Sequence, residues 1–302
     1  MMFGGGSMRK EKRGSLVFQT KNILDSKLAI GHSKHYDKTH GGIQDKIYSW
    51  STYRAYLKHC GYFVKYCKEK HGCRIVEDCR PYVDEWLENR QELSAYTQKL
   101  EASALAKLFG CTTKDFIQTA SRERKNITRS RGEKVRDKHF SEEKNADFVE
   151  FCRSTGLRRA EISALTGDKL FYRNGKPYIS VSSGSKGGRY REVPVIGNTD
   201  VVVRLMRTSG SAKVWDHVPS NADVHSYRSD YATALYDSLA RPIDEIPFDR
   251  VNKGTGRKYQ SGVYICRGDR KGEKFDKVAM LQTSKALGHN RISVIAGHYI
   301  RH

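Results

Sequence analysis

Residues 155–161 read TGLRRAE. Arg158 comes just after Gly156 at the start of a helix, where backbone N–H groups and a guanidinium together suit an anion. Further along, KPYISVSS (176–183) and YREVPVI (190–196) alternate like strands around the Gly-rich turn GSKGGR, which makes a β-hairpin with Lys186 at its tip. HSYRSDYA (225–232) spaces His225 and Arg228 three apart, so both project from one face of a helix. LGHNRISVIAGHYIRH (287–302) offers His289 after a glycine and, ten residues later, Tyr299. Each signal alone is commonplace: a helix-start arginine serves surface ion pairs, a hairpin lysine is solvated, and His-x-x-Arg arises by chance. Their joint order within one basic region is a set of groups suited to a phosphate.

Upstream, from Ile47, the residues Trp50, Tyr53, Leu57, Cys60, Val64 and Cys67 recur at three- and four-residue spacing, predicting a long helix that stops near Gly72. Pro81 fits a first turn, with Val83, Trp86 and Leu87 in a second helix. Ser94 caps a third that carries Leu100, Ala104, Leu105 and Leu108 and ends before Gly110. A helical domain over 44–117 follows. Residues 1–43, polar and rich in Gly, Lys and His, read as a flexible N-terminal arm. RERKNITRSRGEKVRDK (122–138) holds eight basic residues and only two aliphatics, so it cannot form a core. Residues 118–139 are therefore a basic interdomain linker, and Arg122, Arg124, Lys125, Arg129, Arg131, Lys134 and Arg136, with Arg189 of the hairpin, are candidate phosphate contacts. After Phe140 the pattern predicts helices in SEEKNADFVEFCRSTG and RRAEISALTG, and again at 199–207, 223–240 and 281–287.

The 302 residues suit about two domains. Lys and Arg number 55 against 34 Asp and Glu, a net charge of +21 that a polyanion would neutralise, so nucleic acid is the expected partner. No apolar run is long enough for a membrane span and the N-terminus lacks a signal-peptide core, so a soluble, intracellular protein is expected. Seven cysteines without a C-x-x-C pair argue for buried thiols rather than a disulfide framework or a zinc site.

Over roughly residues 140–302 these motifs resemble those of the tyrosine recombinases, the phage integrase family. Its "TGLR-x-x-E" segment is matched by Arg158 and Glu161, which selects Arg158 over Arg159 as first arginine. Its "KGGK-x-R-x-V-P" hairpin is matched by Lys186 in SKGGRYREVPV. Its "H-x-L-R" box is matched by His225 and Arg228, with Tyr227 in place of Leu; its "LGH" by Leu287, Gly288 and His289; its nucleophile by Tyr299. His289 follows Arg228 by 61 positions, more than the family needs, so residues 241–280 read as an insertion, with 258–280 a candidate basic hairpin. Three residues follow Tyr299, so the C-terminal helix that many relatives lend to the next subunit is expected to be absent.

The resemblance implies a mainly α fold with a small sheet, a core-binding domain and a catalytic domain forming a C-shaped DNA clamp. It implies catalysis by Arg158, Lys186, His225, Arg228, His289 and Tyr299 without cofactor, metal or ATP. The arginines would hold nonbridging oxygens, Tyr299 attack, His225 take its proton, Lys186 protonate the leaving 5′ oxygen and His289 donate to the phosphate. The implied partners are double-stranded DNA at a recombination site, a dimer on one duplex and a homo-tetramer on two. The implied setting is cytoplasmic and nucleoid-associated, for a bacterial or phage-encoded protein, in integration or excision of a mobile element. Two other readings use the same residues: a DNA-relaxing enzyme of the type IB topoisomerase kind, and a non-catalytic DNA-binding regulator.

Overall fold

A computed structural model describes residues 14–41, 45–123, 140–182 and 190–301. The chain divides into two compact units, residues 1–127 and 128–302. The division falls inside the basic stretch 118–139, of which 124–139 lie outside the described residues. Among the described residues no helix is long and apolar enough to cross a membrane.

The first unit is helical: α1 (Leu16–Ser26), α2 (Lys34–Thr39), α3 (Trp50–His71), α4 (Val83–Glu88) and α5 (Ala95–Leu108). Local chemistry sets the ends. Ser15, Ser33, Ser49 and Ser94 each accept a hydrogen bond from a first-turn N–H, and Gly72 closes α3 in the left-handed region. Phe63, Val64, Cys67, Leu87 and Leu105 bury one shared core.

Residues 15–28 do not form the flexible arm expected from composition. Leu16 and Leu24 enter the same core, and a parallel bridge joins Leu28 to Ile47. The Gln19 side chain donates to the Arg74 carbonyl at 3.0 Å and accepts from the Val76 N–H at 3.1 Å. A polar side chain that completes a distant backbone gives no apolar signal, which is why the docking was hidden in the sequence.

The second unit contains α6 (Ala146–Thr155), α7 (Arg159–Ala164), α8 (Thr199–Ser209), α9 (Val224–Leu239), α10 (Lys277–Ala286) and α11 (Ile292–His298). An antiparallel meander of β1 (Leu170–Arg173), β2 (Lys176–Val181) and β3 (Arg191–Pro194) lies among them, with Ile179 facing Val193 across the ladder. Phe151, Ile162, Ile179, Val193, Met206, Tyr231, Met280 and Ile295 form its core. The fold is thus mainly helical with small antiparallel sheets.

The extra length between Arg228 and His289 folds as two hairpins, β4 (Arg250–Val251) with β5 (Lys258–Tyr259) and β6 (Val263–Ile265) with β7 (Lys274–Asp276). Arg241 and Asp276 clasp its two ends: the guanidinium donates from Nε at 2.8 Å and from Nη2 at 3.1 Å to the buried carboxylate. Hydrogen bonds from Arg241, against a smaller opposing effect of burial, hold Asp276 down at about 2. The last four residues of the expected insertion, 277–280, belong instead to α10, for which Asp276 is the N-cap.

Candidate functional site

The site grows from two glycines. Gly156 ends α6 at φ 57°, and a Cβ there would lie 2.2 Å from the Tyr231 ring of α9. Only a residue without a side chain lets the turn press on α9 in this way. The turn then presents the Gly156 carbonyl to Arg228 and leads directly into Arg158. Gly288, at φ 67°, follows α10 in a looser approach to the Arg191 side chain, where a Cβ would meet Cδ at 3.1 Å, and it delivers His289.

Arg158 precedes α7. Its N–H donates to Glu161 Oε2 at 2.7 Å, its Nη1 to Glu161 Oε1 at 2.8 Å and its Nη2 to the Leu287 carbonyl at 3.0 Å. Arg228 is 1% exposed on α9. Its Nη1 donates to the Gly156 carbonyl, its Nη2 to the Leu287 carbonyl and its Nε to the Tyr299 hydroxyl at 3.4 Å. Both guanidiniums therefore converge on one carbonyl, that of Leu287. Burial pulls Arg228 down to about 10, which leaves it charged at neutral pH.

Tyr299 closes α11, is 6% exposed and has its oxygen 3.2 Å from His289 Nε2. The His225 ring lies 5.4 Å from the tyrosine ring, centre to centre, and the His289 ring 5.2 Å. Burial first, then the charges of Arg228, Arg158 and Arg191, push the His289 imidazole down to about 4, so it is neutral at physiological pH. Five of the six residues expected from the sequence thus meet in one unit: Arg158, His225, Arg228, His289 and Tyr299. Lys186 lies outside the described residues, as do Arg124, Lys125, Arg129, Arg131, Lys134, Arg136 and Arg189. Arg122 is exposed, with its guanidinium 4.8 Å from the Tyr96 ring centre.

Two residues that lie inside the matched motifs, but to which the sequence assigned no catalytic or binding role, complete the arrangement. Arg191, at the start of β3, donates from Nη1 and Nη2 to the two oxygens of Glu161 at 2.9 and 2.6 Å, and from Nε to the Ala286 carbonyl at 2.9 Å. Glu161 is buried between two arginines. Burial alone would push its carboxyl up, yet the hydrogen bonds and charges of Arg191 and Arg158 outweigh this and hold it below the ordinary carboxylate range. The pairing locks Arg158 in place. The rival first arginine, Arg159, turns the other way and donates to the carbonyls of Pro219 and Ala222, bracing the loop before α9. Arg191 stands at the arginine of the quoted hairpin pattern and in the alternation of YREVPV, but both mark a strand rather than an ion pair. Among the described residues no cluster of three His, Cys, Asp or Glu side chains could hold a metal ion.

Chemically, the site gathers fixed cationic donors, two imidazoles and a phenol within one pocket of charge. No family model matches the sequence, and no curated protein matches it either. Among solved structures, the chain is similar to the XerH site-specific recombinase bound to a palindromic difH substrate in a post-cleavage complex. The TM-score is 0.51 at 13% identity, over 95% of this chain and 92% of that one. It is also matched to the Tn1549 transposon integrase in complex with circular intermediate DNA, at TM-score 0.49 and 11% identity over 96% of each chain. The XerH likeness, spanning both units, is one of fold: the chain has a tyrosine recombinase fold.

Proposed function

We propose that this chain is a site-specific DNA recombinase that cuts and rejoins strands through a 3′-phosphotyrosine at Tyr299, in the integration or excision of a mobile element. One observation carries the reading. The phenol oxygen of Tyr299 lies within hydrogen-bonding distance of both Arg228 and His289, and Arg228 shares the Leu287 carbonyl with Arg158. A nucleophile, two phosphate-binding guanidiniums and two imidazoles so placed suit one reaction, in-line transfer at a phosphodiester.

In that reaction the Tyr299 oxygen bonds to phosphorus and the bond from phosphorus to the 5′ oxygen breaks. The phenol proton passes to His225, and Lys186 delivers a proton to the departing 5′ oxygen. Arg158 and Arg228 bind the nonbridging oxygens more tightly as charge gathers there, each such donor contributing about 3–4 kcal/mol to the transition state. His289, beside the phenol oxygen, donates its N–H to a nonbridging oxygen. The phosphotyrosine conserves the energy of the broken bond, so a 5′-hydroxyl from a second duplex reverses the chemistry without ATP. Exchange between two duplexes calls for a dimer on each, hence a tetramer. The XerH structure, captured on its DNA substrate after cleavage, is in keeping with such a partner.

The test is a pool of nicked duplexes of random sequence in which cleavage releases a short fragment and traps the covalent product. Wild-type protein is expected to give SDS-stable protein–DNA bands whose recovered DNA shares a common site, and Tyr299→Phe none. Bands that survive Tyr299→Phe, or supercoil relaxation without strand exchange, defeat the proposal.

A further inference from the structure

The extra segment between α9 and α10 reaches the nucleophile's own backbone. At the turn of the β6–β7 hairpin, Arg270 is only 8% exposed. Its Nη1 donates to the Ala296 carbonyl at 2.7 Å and to the Ile300 carbonyl at 3.2 Å. Its Nε donates to Glu273 of the same turn at 2.7 Å, and its guanidinium lies 5.0 Å from the Phe275 ring centre. Ala296 is in the last turn of α11 and Ile300 follows Tyr299 directly. One guanidinium therefore grips carbonyls on both sides of the tyrosine, at a helix end where carbonyls lack intrahelical donors and negative dipole gathers.

From the other side, α9 holds the same few residues. Thr233 Oγ1 donates to the Tyr299 carbonyl at 3.4 Å and accepts from the Arg301 N–H at 3.1 Å, while Arg301 Nη1 donates to Asp230 at 2.9 Å. The α9 contacts secure the Tyr299 carbonyl and Arg301. The end of α11, which sets the direction in which Tyr299 leaves the helix, is secured by Arg270.

We infer that Arg270 is a positioning residue for the nucleophile: the inserted hairpin acts as a brace that fixes the backbone on both sides of Tyr299 and so aims its phenol at the phosphate held by Arg158 and Arg228. The inference rests on the recombinase reading for its catalytic consequence, but not for the brace itself. Its physical basis is leverage. A phenol oxygen sits far from its own Cα, so a small rotation of residues 296–300 moves it by a large amount, and a misplacement of about 1 Å can lower a rate roughly 10²-fold.

The experiment uses the full chain with Arg270→Gln, which keeps one donor and similar bulk, and Arg270→Lys, which keeps the charge. Amide hydrogen exchange over residues 296–301 is measured without DNA, and the rate of covalent adduct formation and the DNA affinity are measured on a nicked substrate. Arg270→Gln is expected to melt cooperatively, to exchange faster at 296–301 and not across α9, to bind DNA within about twofold of wild type, and to form adduct roughly 10²-fold more slowly. Arg270→Lys is expected to recover part of the rate. Should Arg270→Gln fail to melt cooperatively, Glu273→Ala replaces it; this change frees the guanidinium from a half-exposed counterion, and about a tenfold slowing is expected. Wild-type exchange at 296–301 together with a wild-type adduct rate in the variant overturns the proposal. A wild-type protein that forms no adduct defeats the recombinase reading alone, and the exchange measurement then still decides whether Arg270 holds this segment.

Discussion

Arg228 combines burial with charge. Its guanidinium has five N–H donors in a fixed plane, and three of its nitrogens reach the Gly156 carbonyl, the Leu287 carbonyl and the Tyr299 hydroxyl. A lysine ammonium could not span the three. The cationic surroundings that suit a phosphate act on His289 as well, and their effect is measurable. His289 titrates at about 4 in the folded protein, below the ordinary value of 6.5, so the unfolded chain takes up the proton first as pH falls. The stability linked to this group is present above pH 6.5 and is lost as pH drops towards 4. In thermal melts, the stability difference between wild type and His289→Gln should therefore shift against wild type between pH 7 and pH 4.5; a difference that stays constant over that range would contradict the burial of a neutral imidazole. At this scale the sequence was legible where a side chain carries its chemistry openly, as in His-x-x-Arg and the lone tyrosine after His289. Choosing Arg158 over Arg159 needed the family pattern, because the reason lies in the Pro219 and Ala222 carbonyls, sixty residues away in the chain.

Secondary-structure elements fix these side chains through a buried ionic knot. Glu161 of α7 takes both Arg191 of β3 and Arg158, and Arg191 also ties down the Ala286 carbonyl at the end of α10. Removing one partner of such a pair leaves a buried charge, whereas removing both does not. Arg191→Met should therefore lower stability by about 3–5 kcal/mol in chemical unfolding. The double change with Glu161→Gln should be less destabilised than the sum of the single changes by at least about 1 kcal/mol; strict additivity would mean that the knot is not a unit. Helices with serine caps and glycine stops were readable: α3 ends at Gly72 and α5 begins after Ser94, as their patterns predict. The strand β1 and the helix α1 were not. β1 is a short run with mixed exposure, and α1 is held partly by Gln19 bonding to distant backbone.

Across the whole molecule, two separate cores carry the chain. Each is built by one unit, and the candidate site lies wholly in the second. The net charge of +21 pointed to a polyanionic partner without saying what is done to it. That comes from the convergence of side chains drawn from α7, α9, α11 and the α10–α11 turn. Tyr299 meets Arg228 and His289 of its own chain, and under the proposed function this pairing would have each protomer cut the strand it holds. The most direct measurement is to trap the covalent adduct on a nicked duplex, digest the protein and map the nucleotide-bearing peptide by mass spectrometry. A single modified residue, Tyr299, joined to a 3′-phosphate, is expected. In mixtures of Tyr299→Phe and Arg228→Ala proteins, each inactive alone, no adduct should appear. A nucleotide on any other residue, or an adduct restored by mixing, would contradict it.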